Sequence, residues 1–171
     1  SIPIAVNVAS QQFADSSLVP DIKQLAIRYQ IRPELLEVEI TETSLMNDVE
    51  QAIVKLEQLK SAGFGIAVDD FGTGYSSLSY LRHLPITTMK IDRAFVNDLP
   101  KDSAIASTIL MLGRQLNLTI VAEGIENEEQ LQWLKDNQCE VGQGFFFSKP
   151  LPLDEFEEKY ILTETAKIVR L

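Results

Sequence analysis

Short β-rich runs alternate with helical stretches along this chain, and that alternation limits the possible fold more than any other feature. Six such runs cover residues 4–8, 36–41, 65–68, 87–91, 118–122 and 140–146. Between them the apolar residues recur at helical spacing, for example in residues 49–59 and 105–116. Alternation of this kind indicates βαβ units and therefore a parallel sheet.

Two parallel architectures fit this pattern, an open doubly wound sheet and a (β/α)₈ barrel. No G-x-G-x-x-G motif follows any of the runs, which counts against a dinucleotide-binding sheet. A complete (β/α)₈ barrel typically takes about 250 residues. Six units in 171 residues would therefore be a barrel short of two strands. After Pro152 the pattern predicts one short helix at residues 153–160.

Charge and composition exclude several classes of protein. The net charge of −10 is the opposite of the basic footprint of a protein that binds duplex nucleic acid. No apolar stretch approaches the roughly 20 residues of a membrane span, so we expect no membrane contact from this segment. Cys139 is the only cysteine, which excludes a disulfide within the chain and suits a cytoplasmic location.

A polar residue stands at or near the carboxyl end of every predicted strand. In chain order these residues are Asn7, Glu39, Asp69 with Asp70, Lys90 with Asp92, Glu123, and Gln143. The carboxyl ends of parallel strands converge on the ligand-binding face in both candidate architectures. We therefore expect these side chains to lie close together. Because side chains alternate along a strand, the backbone must bend for both Asp69 and Asp70 to reach one site.

Clustered carboxylates without His or Cys favour Mg²⁺, Mn²⁺ or Ca²⁺ over zinc. Such acids repel one another unless cations lie between them, and two neighbouring cations are the usual device for phosphodiester hydrolysis. Lys90 could then hold the attacking water or offset phosphate charge. Taken singly, a strand-end Asp is also typical of a helix cap and Lys90 of a structural ion pair. Glu37 shares a face with Glu39, and we assign it no role.

Six ordered segments resemble the EAL domain, the bacterial phosphodiesterase that opens cyclic di-GMP to linear 5'-pGpG. The segments are AVNVAS at residues 5–10, LEVEITET at 36–43, VDDFGTGYSSLSYL at 68–81, MKIDRAFV at 89–96, IVAEGIE at 120–126 and GQGFFFSKPLP at 142–152. The resemblance implies a TIM-like (β/α)₈ barrel with one antiparallel strand. It also implies two cations, Mg²⁺ or Mn²⁺, with Ca²⁺ expected to inhibit.

The resemblance assigns roles to individual positions. It implies metal ligation by Asn7, Glu39, Asp69, Asp70 and Glu123, with Asp69 shared between the two cations. Lys90 would orient the attacking water, and Glu123 would act as ligand or base. Further positions on the active face are Asp92, Glu126 and Gln143, whose roles the resemblance leaves open.

A glycine loop follows the paired acids and resembles the dimer contact of the family. It comprises Phe71, Gly72, Thr73, Gly74, Tyr75 and Ser76, and Glu42 resembles the glutamate that anchors it. The expected partners are cyclic di-GMP and a second copy of the chain. Proteins with this domain often carry sensory, membrane-spanning or GGDEF regions as well.

The Glu-Ala-Leu segment that gives the family its name is absent. In the family it supplies a further metal-binding glutamate and is followed by an arginine that contacts the substrate phosphate. The expectation is that residues 1–171 form the C-terminal two-thirds of a single EAL domain, weak or inactive by itself. We also expect two unpaired sheet edges, which invite association with another chain.

Three other readings of the residues stay open at this point. A non-catalytic cyclic di-GMP receptor would keep the nucleotide pocket. A magnesium-dependent barrel of enolase type would account for strand-end carboxylates and a lysine, but not for the glycine loop. A regulatory dimerisation module would use the segment at residues 71–81 without chemistry.

Overall fold

The computed structural model describes residues 2–73 and 78–161 of the chain. Within them six strands form one sheet: β1 Ile4–Val8, β2 Leu36–Thr41, β3 Gly65–Phe71, β4 Thr88–Ile91, β5 Thr119–Ala122 and β6 Val141–Gly142. Each strand lies beside the next in chain order, and all of these pairings are parallel. This order belongs to a (β/α)₈ barrel, because a doubly wound sheet reverses direction at a switch point. The sheet is that of an incomplete, TIM-like barrel.

Helices connect the strands in the predicted βα alternation. They are α1 Ser10–Ala14, α2 Leu18–Arg28, α3 Glu42–Met46, α4 Val49–Ser61, α5 Leu78–Leu81, α6 Arg93–Asn97, α7 Ala104–Leu116, α8 Glu128–Asp136 and α9 Leu153–Phe156. A 3₁₀ turn, Pro33–Leu35, precedes β2, and the backbone after α9 continues as a π-helical turn, Glu157–Ile161. The predicted single helix at residues 153–160 is therefore two shorter pieces.

Local sequence signals fix the ends of the longer helices. The Asp48 side chain accepts a hydrogen bond from the Gln51 amide and begins α4, and Gly63, at φ +92°, allows the chain to leave it. Asn127 and Gln130 form a capping box at the start of α8. The spacing of Asn127 and Gln130 in the sequence predicts this capping pair, and the structure confirms it.

The two faces of the sheet differ in chemistry. One face carries buried apolar side chains, among them Val38, Ile40, Ile66, Val68, Met89 and Ile91, each at most 2% exposed. The alternate residues of the same strands carry the polar groups, including Glu39 and Lys90. The apolar side chains thus pack on one face of the sheet, and the polar side chains of the candidate site lie on the other.

β3 is longer than the sequence pattern indicates, because it includes both acids. The pattern ends the strand at Val68, but the ladder with β4 continues to Phe71. β6 shows the opposite difference: residues 140–146 were predicted, and only Val141 and Gly142 pair. After Gly142 the chain instead forms a turn against the loop after β5, in which the Ile125 amide donates to the Gln143 carbonyl at 3.1 Å and the Phe146 amide to the Ile125 carbonyl at 3.0 Å.

β1 and β6 lie at the two edges of the sheet. The side chains of Ile4 and Val6 on β1 are 59% and 46% exposed, beside a groove of about 620 Å³ between β1 and α2. In the part of the chain that the structure describes, no helix has the length and hydrophobicity needed to cross a bilayer.

Candidate functional site

The predicted site centres on the Lys90 ammonium, which three carboxylates approach from three different strands or strand ends. Nζ lies 2.7 Å from Glu39 Oε2, 2.7 Å from Glu123 Oε1 and 3.3 Å from Asp69 Oδ2. Glu39 belongs to β2 and Asp69 to β3, and Glu123 directly follows β5. Lys90 is only 3% exposed, and Glu39 is 7% exposed. The structure therefore brings four of the predicted residues into direct contact.

Asp69 and Asp70 lie in a β-bulge. This bulge is the backbone bend that we predicted from two adjacent acids at one strand end. Val68 pairs with Met89 and Phe71 with Ile91, so Asp69 and Asp70 together lie opposite Lys90. Asp70 has φ +55°, a left-handed conformation that aspartate tolerates better than most residues. The Asp70 amide donates to Asp69 Oδ1 at 2.9 Å, while Asp69 Oδ2 faces the lysine.

The other predicted residues surround this cluster at different depths. Asn7 is exposed and lies level with Glu39 in the sheet register. Asp92 caps α6 by accepting from the Ala94 amide at 2.7 Å, so it has a structural function as well. Glu126 and Gln143 have exposed side chains on the loops after β5 and β6. Their places on this edge agree with the prediction, and their roles remain predictions.

Glu42 reaches the glycine loop. Its side chain is 2% exposed, and Oε2 accepts a hydrogen bond of 2.9 Å from the Gly72 amide. Thr73 donates from its hydroxyl to the Asp70 carbonyl at 2.8 Å. Phe71 is buried. Gly74, Tyr75 and Ser76 lie outside the described residues.

Burial sets the electrostatics of the site. Burial raises the pKa of Glu123 above its ordinary value, although Lys90 acts in the opposite direction. Burial, then the charge of Asp69, raises the pKa of Asp70, and Asp92 adds to the effect. Burial alone would lower the pKa of Lys90, but its hydrogen bonds with Glu123 and Glu39 outweigh burial and raise it.

The donor set fits divalent cations. Three carboxylates against one ammonium leave an excess of two negative charges around Lys90, and oxygen donors alone suit Mg²⁺ and Mn²⁺. Across residues 2–73 and 78–161, no three His, Cys, Asp or Glu side chains have their ligand atoms drawn together as in a metal cluster. The acids instead face the lysine.

Two residues outside the predicted site set, Thr88 and Gln130, hold the site in shape. The Thr88 hydroxyl donates to Glu37, two residues before Lys90, so Glu37 pairs with a neutral group rather than with a cation. Gln130 Oε1 accepts from the amides of Glu126 and Asn127 at 2.8 and 3.2 Å and so holds the loop after β5. The capping-box pattern at Asn127 was the available signal for Gln130. For Thr88 the sequence offers none, because the contact depends on strand register.

Comparison with known proteins identifies the family of the chain. The family model described as EAL domain matches residues 1–150. The diguanylate cyclase/cyclic di-GMP phosphodiesterase MucR of Pseudomonas aeruginosa is 47% identical over 155 residues, covering 89% of this chain and 23% of that protein. The cyclic di-GMP phosphodiesterase NbdA of the same organism is 42% identical over 158 residues, covering 91% and 20%. The chain thus spans about a fifth of the length of these curated relatives.

Solved structures agree with this match. The MucR phosphodiesterase in complex with c-di-GMP superposes with a TM-score of 0.87 at 46% identity, covering 90% of this chain and 64% of that one. The EAL domain of Mycobacterium smegmatis DcpA gives a TM-score of 0.86 at 34% identity, with 92% and 72% covered. A manganese/cyclic di-GMP complex of Klebsiella pneumoniae BlrP1 gives 0.78 at 31% identity, with 86% and 39% covered.

Proposed function

Because the chain belongs to the EAL domain family, we propose that it contributes the catalytic face of a metal-dependent phosphodiesterase that hydrolyses cyclic di-GMP to linear 5'-pGpG. The observation that carries the proposal is the convergence of Glu39, Asp69 and Glu123 on Lys90 at the carboxyl edge of the sheet. A non-catalytic receptor would not need this set of acids to persist together.

Five residues are proposed to hold two divalent cations, Mg²⁺ or Mn²⁺. They are Asn7, Glu39, Asp69, Asp70 and Glu123, with Asp69 shared. The support is the bulge, which turns both acids of β3 toward one edge, and the excess of negative charge around Lys90. When bound, the cations supply positive charge for the phosphodiester and make the attacking water more acidic.

In the hydrolysis the water oxygen bonds to phosphorus, and the bond from phosphorus to the 3'-oxygen breaks. Glu123 accepts the proton of the attacking water. Burial raises the pKa of Glu123 in the absence of metal, which favours acceptance of a proton. A water molecule supplies the proton that the departing 3'-oxygen takes up, so this oxygen leaves as a hydroxyl, and Glu123 returns its own proton to solvent. The product is the linear dinucleotide with a 5'-phosphate.

Lys90 is proposed to hold the attacking water. An ammonium has three donors, and two of them point at Glu39 and Glu123 at 2.7 Å. The contact with Asp69 is longer, at 3.3 Å, so it is the one that water or a phosphate oxygen would replace.

The glycine loop is proposed to link the site to a second copy of the chain. Glu42 binds the Gly72 amide, and Gly72 follows the bulge that carries Asp69 and Asp70. A side chain at Gly72 would meet Phe95 at 3.0 Å and Ile109 at 3.3 Å. Movement of α7 would therefore reach the acids through this loop.

The buried free thiol of Cys139 suits a cytoplasmic location, which we include in the proposal.

We assign the full activity to a complete EAL domain, of which residues 1–171 would form the C-terminal two-thirds. The support is that the chain covers 64% and 72% of the MucR and DcpA structures. The test compares this chain with a completed domain, in which an N-terminal part carrying Glu-Ala-Leu and the following arginine precedes residue 1. The chain alone should be slower by about tenfold or more, since it lacks one carboxylate and one phosphate contact.

The assay follows cyclic di-GMP by chromatography in Mn²⁺, in Ca²⁺ and in a chelator. We expect 5'-pGpG in Mn²⁺, and turnover about tenfold or more slower in Ca²⁺, which is larger and less strict in its geometry. Equal turnover by the chain and the completed domain would refute the division of the domain. Tight binding of cyclic di-GMP by the completed domain, without cleavage in Mn²⁺, would favour the receptor reading.

A further inference from the structure

We propose that Lys90 is a built-in counter-cation that competes with divalent metal for the same carboxylate oxygens and so weakens metal binding by this site. The inference rests on the proposed function, because it concerns the proposed metal ligands. It adds a role that differs from holding water: Lys90 sets how much metal the site needs, and it stabilises the cluster when metal is scarce.

The Lys90 ammonium contacts carboxylate oxygens that are also proposed to bind metal. Its Nζ takes up one oxygen each of Glu39 and Glu123 at 2.7 Å, the length of a charge-assisted hydrogen bond. Mg²⁺ and Ca²⁺ bind carboxylate oxygens of this kind at about 2.0–2.6 Å. In the described part of the chain, no three acidic, His or Cys groups are drawn together as metal ligands. The lysine lies where they would meet.

The negative charge of the three carboxylates attracts both the Lys90 ammonium and a divalent cation strongly, so the two compete. Three carboxylates face one ammonium that is 3% exposed, so their repulsion is poorly screened by solvent. With the ammonium removed, the cluster would carry one more net negative charge. It would then be less stable in a chelator and more attractive to a divalent cation.

The fold prevents Lys90 from leaving the cluster. Lys90 lies within β4, between neighbours Met89 and Ile91 that are both fully buried. Across from it, the bulge of β3 presents both Asp69 and Asp70. Two residues earlier, Thr88 closes the same face by donating to Glu37. The ammonium can shift between oxygens but stays among them, so its positive charge opposes every bound cation.

The experiment measures Mn²⁺ binding and thermal unfolding of the 171-residue chain, with neither nucleotide nor turnover involved. Lys90→Met keeps the length of the side chain and removes its charge. In a chelator its unfolding temperature should fall by about 10 °C, as expected when one partner of a buried ion pair is lost. By titration calorimetry it should bind Mn²⁺ about tenfold tighter or more than the wild type.

Lys135→Met is the matched control, because it removes the same charge from an exposed position in the last turn of α8. It should leave both measurements unchanged. The double variant Lys90→Met/Glu123→Gln restores the net charge of the cluster. It should unfold in chelator at a temperature at least halfway back to the wild type.

The outcomes separate this inference from the proposed function. Equal or weaker Mn²⁺ binding by Lys90→Met would overturn the inference and leave a metal site in place. Absence of Mn²⁺ binding by the wild type would overturn the metal site, and the inference with it. If Lys90→Met is unfolded in chelator, Mn²⁺ should restore its circular dichroism, and failure to do so contradicts the inference. A double variant as unstable as Lys90→Met would show that repulsion among the carboxylates is not what destabilises Lys90→Met, which contradicts the inference.

Discussion

The backbone amide of Gly72 donates a hydrogen bond of 2.9 Å to Oε2 of Glu42, across 30 positions of sequence. Glu42 is the first residue of α3, and Gly72 directly follows β3. The bond therefore connects the beginning of α3, directly after β2, to the loop that follows β3. Asp69 and Asp70 lie immediately before that loop.

Glu42→Ala should loosen this loop, because it removes the acceptor of the Gly72 amide. We expect the free energy of unfolding to fall by about 1 kcal/mol, and Mn²⁺ affinity to fall by about tenfold as the two acids lose their support. Glu42→Gln keeps an acceptor and should stay close to the wild type in Mn²⁺ affinity. Equal affinities for all three proteins, measured by calorimetry, would mean that the bond does not position the acids.

Asp70 tests the bulge through its backbone. At φ +55° an alanine costs roughly 1–2 kcal/mol, whereas aspartate and asparagine visit this conformation more readily. Asp70→Ala should therefore be less stable than Asp70→Asn by about 1 kcal/mol, while both lose affinity for Mn²⁺. Chemical denaturation in chelator compares the two. Identical stabilities would show that the left-handed conformation is not maintained at this position.

The raised pKa of Glu123 predicts a pH dependence of stability in the absence of metal. At a pH above 4.5, the ordinary pKa of a glutamate, Glu123 of the folded protein retains a proton that the unfolded chain has released. The contribution of Glu123 is therefore complete below pH 4.5 and is lost as pH rises through the folded-state value. The unfolding temperature of the wild type, relative to Glu123→Gln, should fall between pH 4 and pH 7 in chelator. If the unfolding temperature of the wild type instead rose relative to Glu123→Gln over this pH range, the pKa of Glu123 would be lowered rather than raised by folding.

Gly144, in the loop after β6, packs against the loop after β5. A Cβ there would meet three backbone atoms of Ile125 at 2.2–2.8 Å. Gly144→Ala should thus cost about 3 kcal/mol, the upper end of overpacking effects, since backbone cannot move aside easily. Gly65→Ala, whose Cβ would meet the Glu37 side chain at 3.2 Å, is the control and should cost less. Similar unfolding free energies for the two variants would contradict the packing of Gly144 against Ile125.

The strand–helix alternation was enough to predict the six strands and the longer helices between them, because each carries its own periodicity. The bounds of β1 and β2 are confirmed to the residue. The end of β3 was wrong, since a β-bulge keeps Asp69 and Asp70 in the strand and alternation alone cannot show an added residue. β6 was overextended because the apolar run at residues 140–146 belongs partly to a turn that packs on Ile125.

The site was predictable as a set of residues and not as a geometry. Strand-end positions identify Glu39, Asp69, Lys90 and Glu123, because parallel strands bring their carboxyl ends together. Which oxygens meet the Lys90 ammonium depends on the register between neighbouring strands, and no local pattern encodes it. Glu37 shows the same limit: its partner is Thr88, 51 positions away.

The most direct test of the central claim is cyclic di-GMP cleavage by the completed domain, compared with its Asp69→Asn variant. Asp69 joins the bulge to the lysine, and the substitution keeps the shape of the side chain while removing its charge. We expect conversion to 5'-pGpG in Mn²⁺, none in chelator, and a loss of about 100-fold or more in the variant, with both proteins folded. Undiminished cleavage by Asp69→Asn, or unchanged cleavage in chelator, would contradict the central claim.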